Sequence, residues 1–408
     1  MTVMSGSIAR CSPASAAGRE APPLLVFADD WGRHPSSCQH LVGHLLGRRE
    51  VCWVNTIGTR PPRLDRATLR RGFEKLGQWF LGRAGGQPAE SVPANLRVLN
   101  PKMWPSFRSR LARGLNRRLL TRTVRPVVGA MPRPPVVVTT LPVVADLVGR
   151  FRAARWVYYC VDDFAAWPGL DGRTLRGMEA ELVAKVDTVV AVSDTLREHV
   201  AKLGRPSHLL THGVELDHFR RPSGDELPGP LRELDVLPGP LVVFWGVIDR
   251  RMDLAFVRRL SESLTEGTIL LVGPQDNPGP ELVRLPRVRT LPPVPYEDLP
   301  ALAARAAVLV MPYADLPVTR AMQPLKLKEY LATGKPVAVR ALPATEPWAD
   351  CLDLADTPER FAAAVLERLR TGVTESQRAA RLRLDAEEWA AKAEQFERWI
   401  DPPTAAPS

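Results

Sequence analysis

The residues best placed to do chemistry lie between Arg320 and Glu329, in the stretch RAMQPLKLKE. Pro324 suits the start of a helix, where its missing N–H would have had no partner. The amides of Leu325, Lys326 and Leu327 would then stand free at the positive end of the helix dipole. With the cations of Arg320 and Lys326 beside them, they form a site for a phosphate or pyrophosphate. Glu329 follows one turn further on. A carboxylate beside an anion site repels the anion unless it binds something neutral, such as ribose or sugar hydroxyls. The combination therefore points to a nucleotide sugar.

Two other groups could act on a second substrate. Asp162 and Asp163 follow the apolar run Trp156 to Val161, and Phe164, Trp167 and Pro168 give their loop a rim suited to a sugar face or a lipid-linked acceptor. Either carboxylate can serve as base for an acceptor hydroxyl where burial or a neighbouring like charge raises its pKa; as a turn or capping residue it does no chemistry. Asp29, Asp30, Arg33, His34 and Gln39 collect after the apolar run Pro23 to Ala28. They either bind the acceptor or cap the next helix, with Ser36 or Ser37 at its start.

The elements that must position these groups alternate between strand and helix. Ala307 to Met311 is a strand, Pro324 to Gly334 a helix ended by glycine, and Lys335 to Val339 a second strand, which makes a βαβ unit. Pro23 to Ala28, the helix carrying Leu41, Leu45 and Leu46, and Val51 to Val54 repeat the pattern, as do Pro135 to Thr140, Trp156 to Val161 and Asp187 to Val192. Such open parallel sheets bind ligands beyond the carboxyl ends of their strands, where all three polar groups fall. No GxGxxG fingerprint is present, which argues against a standard dinucleotide site.

P-L-K-L-K-E-Y-L-A-T-G-K-P-V, Pro324 to Val337, resembles the donor-site motif of the GT-B glycosyltransferases, particularly the retaining enzymes of the group 1, family 4-like kind that use nucleotide-activated sugars. Glu329 matches the second of two glutamates that many relatives space by seven residues, and its implied role is to hold the ribose hydroxyls. The first would fall at Ala321 and is absent. A branch with T-R-A-x-x-P-L-K in this loop is closer, and there Lys326 takes the prominent position. T-H-G-V-E-L-D-H-F, Thr211 to Phe219, resembles the segment leading from the first GT-B domain to the second, with His212 where Asn is usual. G-V-I-D-R-R-M-D after Trp245 resembles the first strand-loop of the donor domain. There Gly246 is implied to permit close approach and Arg251, or secondarily Arg250, to meet the phosphates.

The resemblance implies an α/β protein of GT-B architecture, two Rossmann-like domains facing a cleft, with a C-terminal helix crossing back to the first. The implied domains are a tail (1–21), an acceptor domain (22–222) with a basic insertion at about 57–134, a linker (223–240), a donor domain (241–374), a final helix (375–400) and a frayed end (401–408). The implied reaction moves a sugar from a nucleoside-diphosphate sugar to a hydroxyl acceptor, in polysaccharide or glycolipid synthesis, without a metal or other cofactor. Positive protein groups would then neutralise the diphosphate. A nucleotide-sugar epimerase and a non-catalytic binding module remain as alternatives on the same fold.

Composition limits the rest. At 408 residues the chain exceeds one ordinary core and suits two. No run is long and apolar enough to span a membrane, and the first twenty residues lack the apolar segment of a secretory signal. Five cysteines without metal-ligand spacing fit reduced thiols and a cytoplasmic protein. The net charge of +10 is concentrated: Ser91 to Ala145 holds no acidic residue and ten basic ones, Arg97 to Arg133. Trp104, Phe107, Leu111, Leu115 and Leu119 lie among them, so an interfacial helix on an anionic membrane is one reading and a solvated surface helix the other. No nucleic-acid-binding motif is present, and the sequence leaves the oligomeric state open.

Overall fold

The computed structural model describes residues 21–32, 36–56, 93–167, 169–221 and 229–401. They fall into two compact units. One comprises Val192–Leu196 and Leu210–Gln395, and the other the remaining described residues, including the chain from Phe396 onward.

In the N-terminal unit the short apolar runs become strands buried on both faces, as parallel strands covered by helices must be. The elements are β1 (Leu24–Ala28), α1 (Ser37–Leu45), β2 (Val51–Asn55), β3 (Leu96–Leu99), α2 (Arg110–Ala130), β4 (Val136–Thr139), β5 (Arg155–Cys160), α3 (Gly172–Lys185), β6 (Thr188–Ala191), α4 (Asp194–Lys202) and β7 (His208–Leu209). The seven strands are parallel, in the order β3-β2-β1-β4-β5-β6-β7. Ser36 caps α1 by accepting from the Gln39 amide, and Asp171 caps α3.

The second unit carries α5 (Leu216–Arg220), β8 (Leu241–Trp245), β9 (Ile248–Asp249), α6 (Leu254–Ser263), β10 (Thr268–Val272), β11 (Gln275–Asp276), β12 (Val288–Leu291), α7 (Leu299–Arg305), β13 (Val308–Met311), α8 (Pro317–Ala321), α9 (Leu325–Ala332), β14 (Val337–Arg340), β15 (Asp353–Ala355), α10 (Pro358–Thr371) and α11 (Glu375–Ala380). Its main sheet is again parallel, ordered β12-β10-β8-β13-β14-β15. Numbered within its own sheet, the second reads 3-2-1-4-5-6, the Rossmann order, and the first reads the same with a seventh strand added at its edge. The order reverses between β1 and β4 in one sheet and between β8 and β13 in the other, and ligands of such sheets bind at the carboxyl ends of those strands.

The structure departs from the sequence reading in three places. Residues 93–134 are not an insertion: Leu96–Leu99 adds an edge strand to the first sheet, pairing with β2, and Arg110–Ala130 is the helix before β4. The strand is only four residues long with one arginine in it, too little alternation to stand out. Residues 57–92 of the expected insertion lie outside the described residues. Between the strands Pro135 to Thr140 and Trp156 to Val161 the alternating pattern predicts a helix near Val143 to Phe151, and only a single turn, Pro142–Val144, is helical.

The third departure is the segment expected as one final helix, 375–400, whose apolar stripe Leu382, Ala386, Trp389, Ala393, Phe396 and Ile400 does not run along one helix. Glu388 adopts an extended backbone and separates a 3-10 stretch, Arg381–Glu387, from α12 (Trp389–Ile400). Leu382 is 69% exposed and Leu384 takes the buried place instead. The start of α12 packs in the C-terminal unit, where a Cβ on Gly213 would stand 2.7 Å from the Trp389 ring. Its end packs in the N-terminal unit: Phe396 meets Tyr159, and buried Arg49 binds Glu397 and Asp401, each at 2.7 Å.

Candidate functional site

The carboxyl ends of β8 and β13 gather most of the residues expected to bind a donor. Pro324 is the N-cap of α9, which leaves the Leu325 and Lys326 amides at the helix start. The Leu327 amide, expected to be free with them, donates to the Pro324 carbonyl at 3.2 Å. The Lys326 ammonium donates to the Tyr313 hydroxyl at 2.6 Å and lies 4.5 Å from the centre of the Phe244 ring and 5.1 Å from that of Tyr313. Cation–π attraction to two rings fixes a charge that would otherwise sweep through solvent on a flexible stem.

Gly246 is what allows this. Its φ of +135° is one that side-chain-bearing residues rarely adopt, and a Cβ there would lie 2.2 Å from the Lys326 Nζ. Gly273, after the neighbouring strand β10, is constrained in turn: its Cβ would stand 2.0 Å from the Gly246 carbonyl oxygen.

Glu329 accepts from the Trp245 indole N–H at 3.2 Å, and the Trp245 amide donates to the Tyr330 hydroxyl at 3.0 Å. A carboxylate thus lies at the end of β8, one helical turn from Lys326. Tyr296, stacked on His218 with ring centres 4.5 Å apart, feels the Glu329 charge; burial first and that charge second push its phenol up.

The arginines are placed differently. Arg251 is buried and forms a forked pair with Asp249, Nε to both carboxylate oxygens at 3.0 Å. It also lies 5.8 Å from the centre of the Tyr313 ring. Its charge is therefore balanced by Asp249, and it shares the Tyr313 ring as a neighbour with Lys326. Arg320 is exposed and bridges to Asp315 at 3.2 Å. Ala321, where the resemblance puts a first glutamate, is buried at the end of α8.

On the other sheet, Asp163 accepts from the amides of Ala165 and Ala166 at 3.0 and 3.2 Å, the bonding of a turn residue. Asp162 and Trp167 are half-buried in the same loop. Asp29 binds Ser36 and Gln39, each at 3.2 Å, and the Asp30 carbonyl accepts from Gln39. The loop after β1 is thereby knotted on itself. Arg33 and His34 lie outside the described residues.

Sequence reasoning missed Phe244, Tyr313 and Asp249, the partners that hold Lys326 and Arg251. Tyr313 follows directly after an apolar strand and could have been noticed there; the pairing with Phe244 depends on two strands, in register 66 residues apart, lying side by side. It also missed Lys328. This lysine is 2% exposed, binds Glu387, Thr211 and the His212 carbonyl, and is pushed down to about 8 by burial. Burial alone would raise the Glu387 carboxyl, but Lys328 and Lys392 more than reverse this and hold it below the usual range. Among the described residues no group of three or more His, Cys, Asp or Glu side chains could hold a metal ion.

Two parallel sheets of Rossmann order, with such a site at the reversal of the second, define the GT-B glycosyltransferase fold. Over 92% of its length and 98% of the other chain, the protein is similar to sucrose-phosphate synthase from Thermosynechococcus elongatus, at TM-score 0.68 and 16% identity. It is similar over the same shares to Anabaena HepE in complex with UDP and glucose, at TM-score 0.65 and 14% identity. Residues 239–371 match the family model described as Glycosyl transferases group 1. A stretch of 207 residues, 46% of the chain, is 30% identical to TuaH of Bacillus subtilis (strain 168), assigned as a teichuronic acid biosynthesis glycosyltransferase. The match spans 51% of TuaH, about half its length.

The two lysines of α9 should separate in a denaturation experiment. Lys328→Met removes a buried, fully bonded ammonium and should lower the unfolding free energy by about 3 kcal/mol. Lys326→Met, at a partly exposed position, should cost less than about 1 kcal/mol. Urea unfolding followed by circular dichroism measures both.

Proposed function

We propose that the protein transfers a sugar from a nucleoside-diphosphate sugar to a hydroxyl of a growing cell-surface polysaccharide or glycolipid. The observation that carries this is the Lys326 ammonium, held over Phe244 and Tyr313 at the strand-order reversal of the C-terminal sheet, with the first amides of α9 beside it and Glu329 one turn away. In this reading Lys326 and the Leu325 and Lys326 amides neutralise the diphosphate as it leaves, and Glu329 holds the ribose hydroxyls. The group 1 match over 239–371 and the likeness to a protein assigned to teichuronic acid synthesis support transfer. HepE, which shares the fold, is a complex with UDP and glucose, and this favours UDP as the carrier. A metal has no part in this reading, since protein cations take over the charge of the leaving group.

The acceptor side is assigned to the loop Asp162 to Trp167, at the carboxyl end of β5. Asp163 gives a carboxylate oxygen to two amides of its own turn, and the role of meeting the acceptor hydroxyl is assigned to its neighbour Asp162.

We further assign the protein to an anionic membrane surface. α2 buries Asn116, Leu120, Val124 and Val128 and turns the opposite face outward. On that outer face Leu111, 87% exposed, and Leu115, 43% exposed, continue into exposed Arg118 and Arg122, with Trp104, 53% exposed, just before the helix. Each arginine near such a surface contributes about 1 kcal/mol, and the apolar side chains add their burial in the interface. Among the described residues no helix is long and apolar enough to cross a membrane.

Two measurements test these assignments. Nucleoside diphosphates and their sugars, added without metal, should raise the melting temperature, and the rise should vanish in Lys326→Ala and fall in Glu329→Ala; no shift with any base at millimolar concentration would remove the donor assignment. The protein should sediment with phosphatidylglycerol vesicles at low salt and not with phosphatidylcholine vesicles. Leu111→Glu with Leu115→Glu should abolish that binding, and equal binding by this variant would contradict the membrane assignment.

A further inference from the structure

The helix that carries Lys326 and Glu329 has little of its own to hold it. α9 is eight residues long, too short to be stable alone, and Pro324 at its start makes no side-chain cap bond. Leu327, Tyr330 and Leu331 bury its inner face, but apolar packing has no direction and tolerates a small turn about the helix axis. At the roughly 5 Å outer radius of a helix, a turn of about 20° shifts a side chain by about 2 Å. That is enough to take Lys326 and Glu329 out of place.

Lys328 supplies direction from the buried side. Its ammonium donates to Thr211 Oγ1 at 3.2 Å, to the His212 carbonyl and to Glu387, all outside α9. Every charged group that faces it is identifiable. Glu387 is shared with Lys392 of α12 at 2.7 Å, and Lys392 also reaches Thr211 at 3.2 Å. His212 faces the ammonium with its carbonyl, while its ring lies against Trp389, the centres 6.1 Å apart. Arg383 stands over the Trp348 ring that Lys328 also faces, and its charge is taken by Asp350. An apolar residue at 328 would give about as much stability as the buried pair, so what the pair adds is orientation.

We propose that Lys328 is a positioning residue for the nucleotide: through Thr211, the His212 carbonyl and Glu387 its ammonium fixes the turn of α9 about its axis, and with it the places of Lys326 and Glu329. The role rests on the reading of those two residues as the donor site.

The role has a pH signature. Burial pushes Lys328 down to about 8, with Glu387 opposing and Lys392 adding to the effect. Below that pH the ammonium serves all three acceptors; above it one donor and the attraction to Glu387 are lost, α9 is released and donor affinity falls. Stability moves the other way. The unfolded chain keeps this proton up to the ordinary value of 10.5, so between about 8 and 10.5 the unfolded state binds more protons and this group raises the unfolding free energy with pH. A lysine with a merely structural role would not make affinity and stability diverge.

The experiment is calorimetric titration of the full-length protein with UDP at pH 7 and pH 9, with urea unfolding at both. In the wild type Kd should rise about tenfold between them, as for loss of one charge-assisted hydrogen bond. Lys328→Arg, which stays charged, should keep the low Kd at pH 9, and the wild type should gain stability relative to it over the same interval. Lys328→Met should show the high Kd already at pH 7. Because that variant is also less stable, Lys328→Met with Glu387→Gln, which removes both charges of the pair, should recover stability and still show the high Kd. Wild-type affinity in either Met variant at pH 7, or affinity and stability moving together above pH 8, would overturn the role. Lys326→Ala, measured alongside, separates the two readings: if it alone abolishes UDP binding, the donor site stands without Lys328. No binding of UDP to the wild type at millimolar concentration would remove the donor reading, and the role with it.

Discussion

A single close approach governs the donor region: the Lys326 ammonium and the backbone of Gly246 share a space that has no room for one more carbon. A Cβ at Gly246 would lie 2.2 Å from Nζ and 2.9 Å from Cε. The approach exists because β8 and β13 are neighbours, which sets Phe244 and Tyr313 edge to face, 5.9 Å apart, with the lysine against both rings. Everything else at this end of the sheet is arranged around that charge. Asp249 balances the buried Arg251, Glu329 is steadied by the Trp245 indole, and α9 brings its first amides to the same end. The geometry is fixed before any ligand arrives, which is the condition for electrostatic stabilisation of a leaving group at little reorganisation cost.

The same helix faces inward with a second lysine, and the contrast explains how the first is held. Lys328 gives its donors to Glu387, Thr211 and the His212 carbonyl, and its ammonium lies 5.6 Å from the centre of the Trp348 ring. Breaking such a pair from one side is costly, whereas the pair itself contributes little beyond an apolar substitute. Its value is in specifying one orientation of α9, and hence the direction of the Lys326 stem and the Glu329 carboxylate. The buried Glu179 in the N-terminal unit has the same logic, with Tyr158 and His199 as its partners.

Much of this was legible in the sequence because the governing patterns are local. Continuous apolar runs gave the parallel strands, Pro324 and Gly334 bracketed α9, and the order of cation, amide and carboxylate along PLKLKE pointed to a donor site. What was not legible depends on strand order. Nothing in the local sequence says that Phe244 and Tyr313 will meet one lysine, or that the second arginine in DRR will turn back onto Asp249. The strand Leu96–Leu99 was hidden in a basic stretch because four residues carry too little periodicity. The C-terminal stripe misled because steps of four and three fit a straight helix, whereas an extended Glu388 resets the phase and exposes Leu382.

The measurement that bears most directly on the central claim is a crystal structure of the protein soaked with UDP. The account requires the diphosphate within hydrogen-bonding distance of Lys326 Nζ and the Leu325 or Lys326 amide, and the ribose hydroxyls on Glu329, with Gly246 passing beneath. A nucleotide bound instead at the carboxyl ends of β1 and β4, or one on the C-terminal sheet that leaves Lys326 on Tyr313 and touches neither amide, would contradict it.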